Sequence, residues 1–494
     1  MGSLSPLDLD NVQGDILEGL GKKNECFFFF RIKGHEVSSF REDLISFLPL
    51  VTTVTEAKKF HQSIHEAKRE AAQQGKERPI LENSGVNIAF TQKGLAVLGI
   101  TDDIKDDVFK KGMVADVDNL GDDLSDWDAD FKKDIHGVFL ITANSTLVLE
   151  RTLDRIKGIF RVGHKDAAIE EVTHLTGHTR PGAQDGHEHF GFNDGLSQPA
   201  VKDVDAGVTS VPNEKPIAQG VILLGREGDN GTVAPGGKPP GITRPPWALD
   251  GSFLVFRYLK QLVPEFDAFL EANALKVPFP PALGDPTGAE LLGARLVGRW
   301  KSGAPVDLTP LRDDPSLATS QNFRFDPTSQ ERCPFAAHVR KTNPRADLDK
   351  FGGTEIRRIL RRGIAFGPEV TDEEKRAKKS SDQRQLERGL LFACYQSNLA
   401  NGFQFMQHSW ANNASFPPKT GVNPPIAQPG IDPIIGVGTP RQMVGTSPDV
   451  ASANRELSFG AKWVIPRGGE YFFSPSISAL KTTFAHCRGD HHEL

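Results

Sequence analysis

Three short segments of the chain gather residue types that do acid–base and metal chemistry. HEHFGFNDGLSQPA (187–200) carries Asp194 between Gly191 and Gly195; CPFAAHVRKTNPR (333–345) carries His338; IRRILRRGIAFGPE (356–369) carries Arg361 and Arg362. Each segment has an ordinary reading. Asn and Asp before Gly suit a turn, because they tolerate unusual backbone angles. His338 after an apolar run fits a satisfied core histidine. Arginines before a glycine complement the dipole at a helix end. Taken together, the three supply the parts of a site that cleaves peroxide on haem. A histidine binds the iron from one side and leaves the other open. On the open side a carboxylate takes the first peroxide proton and returns it to the departing oxygen. A cation then stabilises the charge that develops as the O–O bond breaks.

The elements that must position these groups follow a recurring pattern of an apolar strand and then an amphipathic helix. ECFFFFRIKG leads into SSFREDLISFLPLV, GVNIAF into TQKGLAVLG, and HGVFLITA into NSTLVLERTLDRIKGIF. After a Gly- and Pro-rich stretch (226–247) the pattern resumes, with GSFLVFRYLKQ before VPEFDAFLEA and GLLFACYQS before a helix at NGFQFMQHSW. FFFFRI…FREDL echoes FLVFRY…FDAFL in hydrophobic order, which predicts a duplicated α+β unit with domains at 1–240 and 241–494. A charge-rich run at 371–388 reads as a solvated face, and the Pro-, Gly- and Asn-rich span 412–448 as a long loop that walls a site.

Composition narrows the partner. The chain has 494 residues and a net charge of −6, so it offers no basic face to nucleic acid or to an acidic membrane. Cys26, Cys333, Cys394 and Cys487 form no CxxC or CxxCH pair, which argues against a zinc ribbon and thioether-linked haem. The acidic N-terminus lacks a basic start and an apolar run, and Pro6 stands where myristoylation wants Ser or Thr. As written, the expectation is a cytoplasmic protein, or a secreted one if its N-terminus has been trimmed.

At this point the chain resembles a known family, the dye-decolourising peroxidases, particularly their fungal branch. Gly191-Phe-Asn-Asp194-Gly195 matches the family's GxxDG motif, and the His338 and Arg361 segments match its other two. NVQGDIL, LLGARLVGRWKSGAP, GIDPIIG and RGGEYFFSPSISALK extend the likeness over nearly the whole chain. The resemblance implies two ferredoxin-like domains with antiparallel sheets flanked by helices, and one haem b held in the C-terminal half between sheet and helices. It makes His338 the axial ligand and Asp194 the acid–base group. Arg361 becomes the charge-stabilising arginine, with Arg362 pointing elsewhere because adjacent residues cannot share a face. Asp432 would accept the second ring N–H of His338, a role that competes with a turn before Pro433. Leu390 and Phe392 match the apolar pair lining the pocket, where core packing would look the same. Arg340 could reach a haem propionate or make a surface ion pair. The glycines around Asp194 would let backbone approach the haem.

The implied partners are hydrogen peroxide, bulky dyes and phenolic donors, with Mn(II) as a further candidate. Large donors imply a relay to a surface aromatic, for which Trp410 is the best match against a packing role. Some relatives carry a tyrosine where this chain has Phe366, which forms no comparable radical. Three rival readings remain. One is a thiolate-ligated haem protein using Cys333. Another is a haem-binding or sensing protein without turnover. The third is a zinc hydrolase built on His174, His178, His187 and His189.

Overall fold

Phe27, Phe28, Phe29 and Phe30 sit consecutively in β1 (Asn24–Ile32), and none is exposed. A strand with one wet face alternates, so an unbroken apolar run requires cover on both faces. The computed structural model supplies it; it describes residues 5–74, 82–205, 215–234, 237–276, 286–418, 426, 428–438, 440–449 and 455–486. On one side Phe30 stacks on Phe40 of α1 (Val37–Phe47), with ring centroids 6.1 Å apart. On the other, Phe27 and Phe29 meet Phe256 at 4.7 and 4.9 Å. Phe256 lies on β5 (Ser252–Gln261), in the second half of the chain. The two halves therefore pack sheet face against sheet face.

The remaining strands of the first half are β2 (Ser84–Phe90), β3 (Gly137–Ala143) and β4 (Ile169–His178). The second half adds β6 (Leu360–Arg361), β7 (Ile364–Phe366), β8 (Gly389–Gln396) and β11 (Val464–Ser474), with β9 (Gln442–Met443) and β10 (Leu457–Ser458) as a separate pair. The large sheet runs β4-β1-β3-β2-β11-β5-β8-β6, with β7 also on β8. With the short β6 and β7, both paired with β8, counted as one, each half has the same spatial order, its fourth strand, first, third, then second. All ladders are antiparallel, and one pair, Phe473 with Phe90, joins the halves. The α+β expectation of antiparallel sheets and flanking helices holds. The proposed division at 240 falls in the connection between β4 and β5.

Helices α2 (Val54–Gln73) and α3 (Thr146–Ile159) flank the first half, α4 (Val263–Ala272) and α5 (Gly288–Val297) the second. Thr53 and Glu56 close a capping box that starts α2. Two of the longer strands escape the sequence patterns for physical reasons. β4 is an edge strand of mixed exposure, so its apolar signal is weak. β11 carries Pro466, Gly468 and Gly469, residues that weaken a strand pattern, and it forms a bulge there against β5.

The charged run 371–388 is a correction: part of it is core. Glu374 closes a capping box with Thr371 and takes a bidentate ion pair from Arg388 (2.9 and 2.7 Å), their side chains 4% and 1% exposed. Arg388 directly precedes β8, and its Nε donates to the Pro368 carbonyl. Glu374→Ala leaves that guanidinium buried without its carboxylate and is expected to cost about 3–5 kcal/mol in urea unfolding. A loss below about 1 kcal/mol, the scale of a surface pair, would contradict the burial.

Candidate active site

A cavity of about 290 Å³ opens beside β5 and β8, and His338, Asp194, Arg361, Leu390 and Phe392 all line it. Strand alternation explains the wall. Leu390 and Phe392 point into the cavity from β8, while Leu391 and Ala393 between and beyond them are fully buried in the core.

His338 is the first residue of the short helix α6 (His338–Thr342). Its Nδ1 is 2.8 Å from Asp432 Oδ2. The other oxygen of Asp432 accepts the N–H groups of Ile434 and Ile435 (2.8 and 3.0 Å), and the Asp432 N–H donates to Ala411 O. The turn role and the histidine role of Asp432 are thus one arrangement, in which the turn fixes one oxygen and aims the other at the ring. Burial disfavours the charged imidazole, but the Asp432 carboxylate outweighs it and lifts the pKa of His338 above its ordinary value. Burial likewise pushes the Asp432 carboxyl up, and His338 together with the two N–H donors brings it below the usual range.

Asp194 sits in a tight hairpin bridged at His187 and Asn193, with its N–H on Gly186 O. Gly191 and Gly195 take φ of +91° and +75°, which a side chain disfavours. Neither missing Cβ would press on backbone: at Gly195 it would meet nothing within 4 Å, and at Gly191 only the flexible end of Lys301. What this chain's own atoms demand of the glycines is therefore positive φ. The Glu188 carboxylate braces the hairpin by accepting the N–H groups of Phe190 and Phe192. Arg361 Nη1 donates to Asp194 Oδ1 at 2.6 Å. Burial pushes the Asp194 carboxyl up, yet the guanidinium beside it holds it below the usual carboxylate range. Arg362, next in the chain, turns away and donates to the carbonyls of Asp15 and Leu17.

The site thus pairs a histidine backed by a carboxylate with an ionised carboxylate backed by an arginine, both facing one cavity. Two family models match around it. One, the DyP dimeric alpha+beta barrel domain, covers residues 11–181, and the other, Dyp-type peroxidase, C-terminal, covers 294–416. Dye-decolorizing peroxidase msp1 of Mycetinis scorodonius is 43% identical over 500 residues, 98% of this chain and 89% of that protein. The chain belongs to the dye-decolourising peroxidase family. It is a peroxidase, an oxidoreductase that uses peroxide as acceptor. A solved variant of the Pleurotus ostreatus dye-decolorizing peroxidase gives a TM-score of 0.87 at 44% identity, over 98% of this chain and 100% of that one. A dye-decolorizing peroxidase in complex with 2,6-dimethoxyphenol gives 0.81 at 44% identity, over 97% and 100%.

Several sequence expectations need correction in this peroxidase. Arg340 is 1% exposed and does not line the cavity. It forms a bidentate pair with Asp347 (2.7 Å twice) and donates to the carbonyls of Asp326, Ser329 and Cys333, so neither a propionate contact nor a surface pair describes it. Trp410 is 3% exposed, stacked on Phe416 at 5.2 Å and edge-on to Phe405, so it is a packing residue rather than a surface aromatic. Cys333 lies outside the cavity wall, and burial pushes its thiol up to about 12, away from the thiolate an iron ligand requires. His174 pairs with Glu171 and His189 with the Phe366 carbonyl; among the described residues no three His, Cys, Asp or Glu gather as metal ligands. Cys487 lies outside the described residues, and the other three cysteines are buried and unbridged.

Sequence reasoning missed Arg299, Arg345, Met406 and Gln407 in the cavity wall. Arg299 stands in LLGARLVGRWKSGAP, a segment noted for its likeness alone; Met406 and Gln407 stand in the expected helix, where a π-helical turn (Met406–Ala411) replaces regular α-helix. Removing the guanidinium in Arg361→Leu leaves burial as the dominant influence on Asp194, so its pKa rises. The acid limb of the peroxide-consumption profile then shifts to higher pH, while Arg362→Leu leaves it in place. An unshifted limb in Arg361→Leu would show that the cation does not govern Asp194.

Proposed function

We propose that the cavity would take one haem b, whose iron His338 would hold, and that the protein reduces hydrogen peroxide while oxidising dyes and phenolic donors. The donor set suits that group. With Nδ1 taken by Asp432, the remaining ring nitrogen of His338 serves the cavity, and imidazole is a common haem ligand. Arg299 and Arg345 bring cationic donors to the wall. Arg299 already spends its N–H groups on Gly303 O, Ser320 O and Gln321 Oε1, so its charge is held by neutral oxygens. Such cations complement propionate carboxylates.

When bound, the haem supplies the iron at which peroxide is split and the two oxidising equivalents that donors later discharge. The chain's own residues do the rest. Asp432 accepts the Nδ1–H of His338, which fixes the ring and makes it a stronger electron donor. Asp194, kept ionised by Arg361, accepts the peroxide proton at its carboxylate and returns it to the departing oxygen. Arg361 stays within reach of the charge that develops there. Leu390 and Phe392 present apolar surface to the cavity and would keep water from competing there.

The phenolic complex of the relative supports phenols as a donor class, and the printed names of the relatives support dyes. Mn(II) has less support: among the described residues no acidic cluster forms, and Asp347 and Asp349 are each committed to an arginine. No described helix is long and apolar enough to cross a membrane.

The observation that carries this reading is that His338 and Asp194 line one cavity, each with a charged or hydrogen-bonding partner behind it. Its test is rapid mixing of haem-loaded protein with hydrogen peroxide, comparing wild type with Asp194→Asn. The variant is expected to react on the order of 10²–10⁴-fold more slowly. Equal rates would move proton transfer to another residue.

A further inference from the structure

We propose that Gln198 is a positioning residue for the catalytic pair, acting by holding the main chain of Arg361. This rests on the reading above, in which Asp194 and Arg361 act on peroxide.

Arg361 lies on the shortest strand of the large sheet. β6 is two residues long and pairs with β8 at two positions, Leu360 with Tyr395 and Arg361 with Cys394. It is also the terminal strand of the sheet order. On an edge strand one row of N–H and C=O groups points away from the ladder and needs another partner. The Gln198 side chain provides it. Its Oε1 accepts the Arg361 N–H at 3.1 Å and its Nε2 donates to the Arg361 carbonyl at 2.8 Å. A primary amide offers one acceptor and N–H donors in one plane, so this side chain completes the edge as a neighbouring peptide would.

The same stretch grips the Arg361 side chain. Asp194 takes Nη1 at 2.6 Å and the Ser197 carbonyl accepts Nη2 at 3.3 Å. Residues 194–198 therefore hold Arg361 at its backbone and at its guanidinium together. No helix or strand runs through 194–200, so this loop lacks the rigidity that regular structure would give it. The acid–base residue and the cation lie 167 positions apart in sequence. The Gln198 amide ties the loop bearing one to the strand bearing the other, and the separation of the pair follows from that tie.

Without the amide, the Arg361 peptide faces solvent, β6 loosens, and the guanidinium no longer stays at one distance from Asp194. Catalytic groups misplaced by about 1 Å can lose on the order of 100-fold in rate. Gln198 contacts no reacting atom in this scheme, so its loss affects the peroxide step and leaves the donor step alone.

The test uses haem-loaded, full-length Gln198→Ala and Gln198→Glu beside wild type, Asp194→Asn and Arg361→Leu. In Gln198→Ala the bimolecular rate with peroxide is expected to fall on the order of 10- to 100-fold. The KM for a dye stays within about twofold, and the dissociation constant for cyanide, read from haem absorption, rises about tenfold, because cyanide needs the same proton acceptor and cation. Gln198→Glu offers a donor and an acceptor while its carboxyl is protonated, near or below pH of about 4.3, and an acceptor alone above that. It is expected to approach wild-type cyanide affinity at the acidic end and to lose it at neutral pH. If Asp194→Asn and Arg361→Leu weaken the peroxide step while Gln198→Ala matches wild type in both readouts, the clamp is overturned and the catalytic reading stands. If Asp194→Asn and Arg361→Leu react like wild type, the catalytic reading falls and the clamp with it. Should Gln198→Ala fail to take up haem, the glutamate variant decides, and a ratio of its cyanide affinity to that of wild type that does not change with pH overturns the clamp.

Discussion

The contact on which the site depends is the ion pair between Asp194 and Arg361. A half-buried carboxylate in an apolar-walled cavity tends to take up a proton and stop acting as a base. The guanidinium at 2.6 Å reverses that tendency. In the proposed reaction it also places a fixed cation where negative charge must be stabilised. The pair joins two segments that share no helix or strand: the hairpin after β4 and the short edge strand β6. Most of the surrounding architecture brings these segments together. The β8 ladder carries β6, Glu188 braces the hairpin, and the buried Arg388–Glu374 pair anchors the entry to β8.

A second carboxylate does a related task at His338. Asp432 is fully buried and is kept ionised by the ring together with two backbone N–H donors. The site thus uses carboxylates in two ways. Asp194 opens to the cavity and can exchange a proton, whereas each oxygen of the buried Asp432 already accepts a hydrogen bond and serves to orient. Their surroundings separate the roles, since the side chains are identical.

Much of this is legible in the sequence, and the rest is hidden for identifiable reasons. The continuous Phe27–Phe30 run signals a strand covered on both faces, and the alternation in GLLFACY puts Leu390 and Phe392 on one side. Adjacency alone sends Arg361 and Arg362 in opposite directions. The errors arise where a residue's type suits two environments. Arg340 is a basic residue in the helix that starts at His338, yet its partners Asp347 and three carbonyls are set by chain geometry that spacing does not encode. Trp410 carries a polar indole N–H that suits a surface position, but Phe416 and Phe405 enclose it. β4 is polar enough to pass as loop. Gln198 was visible only as part of a motif, because side-chain pairing with an edge strand leaves no periodic trace.

The most direct measurement is the pH dependence of the bimolecular reaction between haem-loaded wild-type protein and hydrogen peroxide. With Asp194 held ionised by Arg361, the rate should stay level through the acidic range and fall only below pH of about 4. A fall centred near pH of about 6.5, where an unperturbed histidine titrates, would contradict the account and assign the proton to an imidazole.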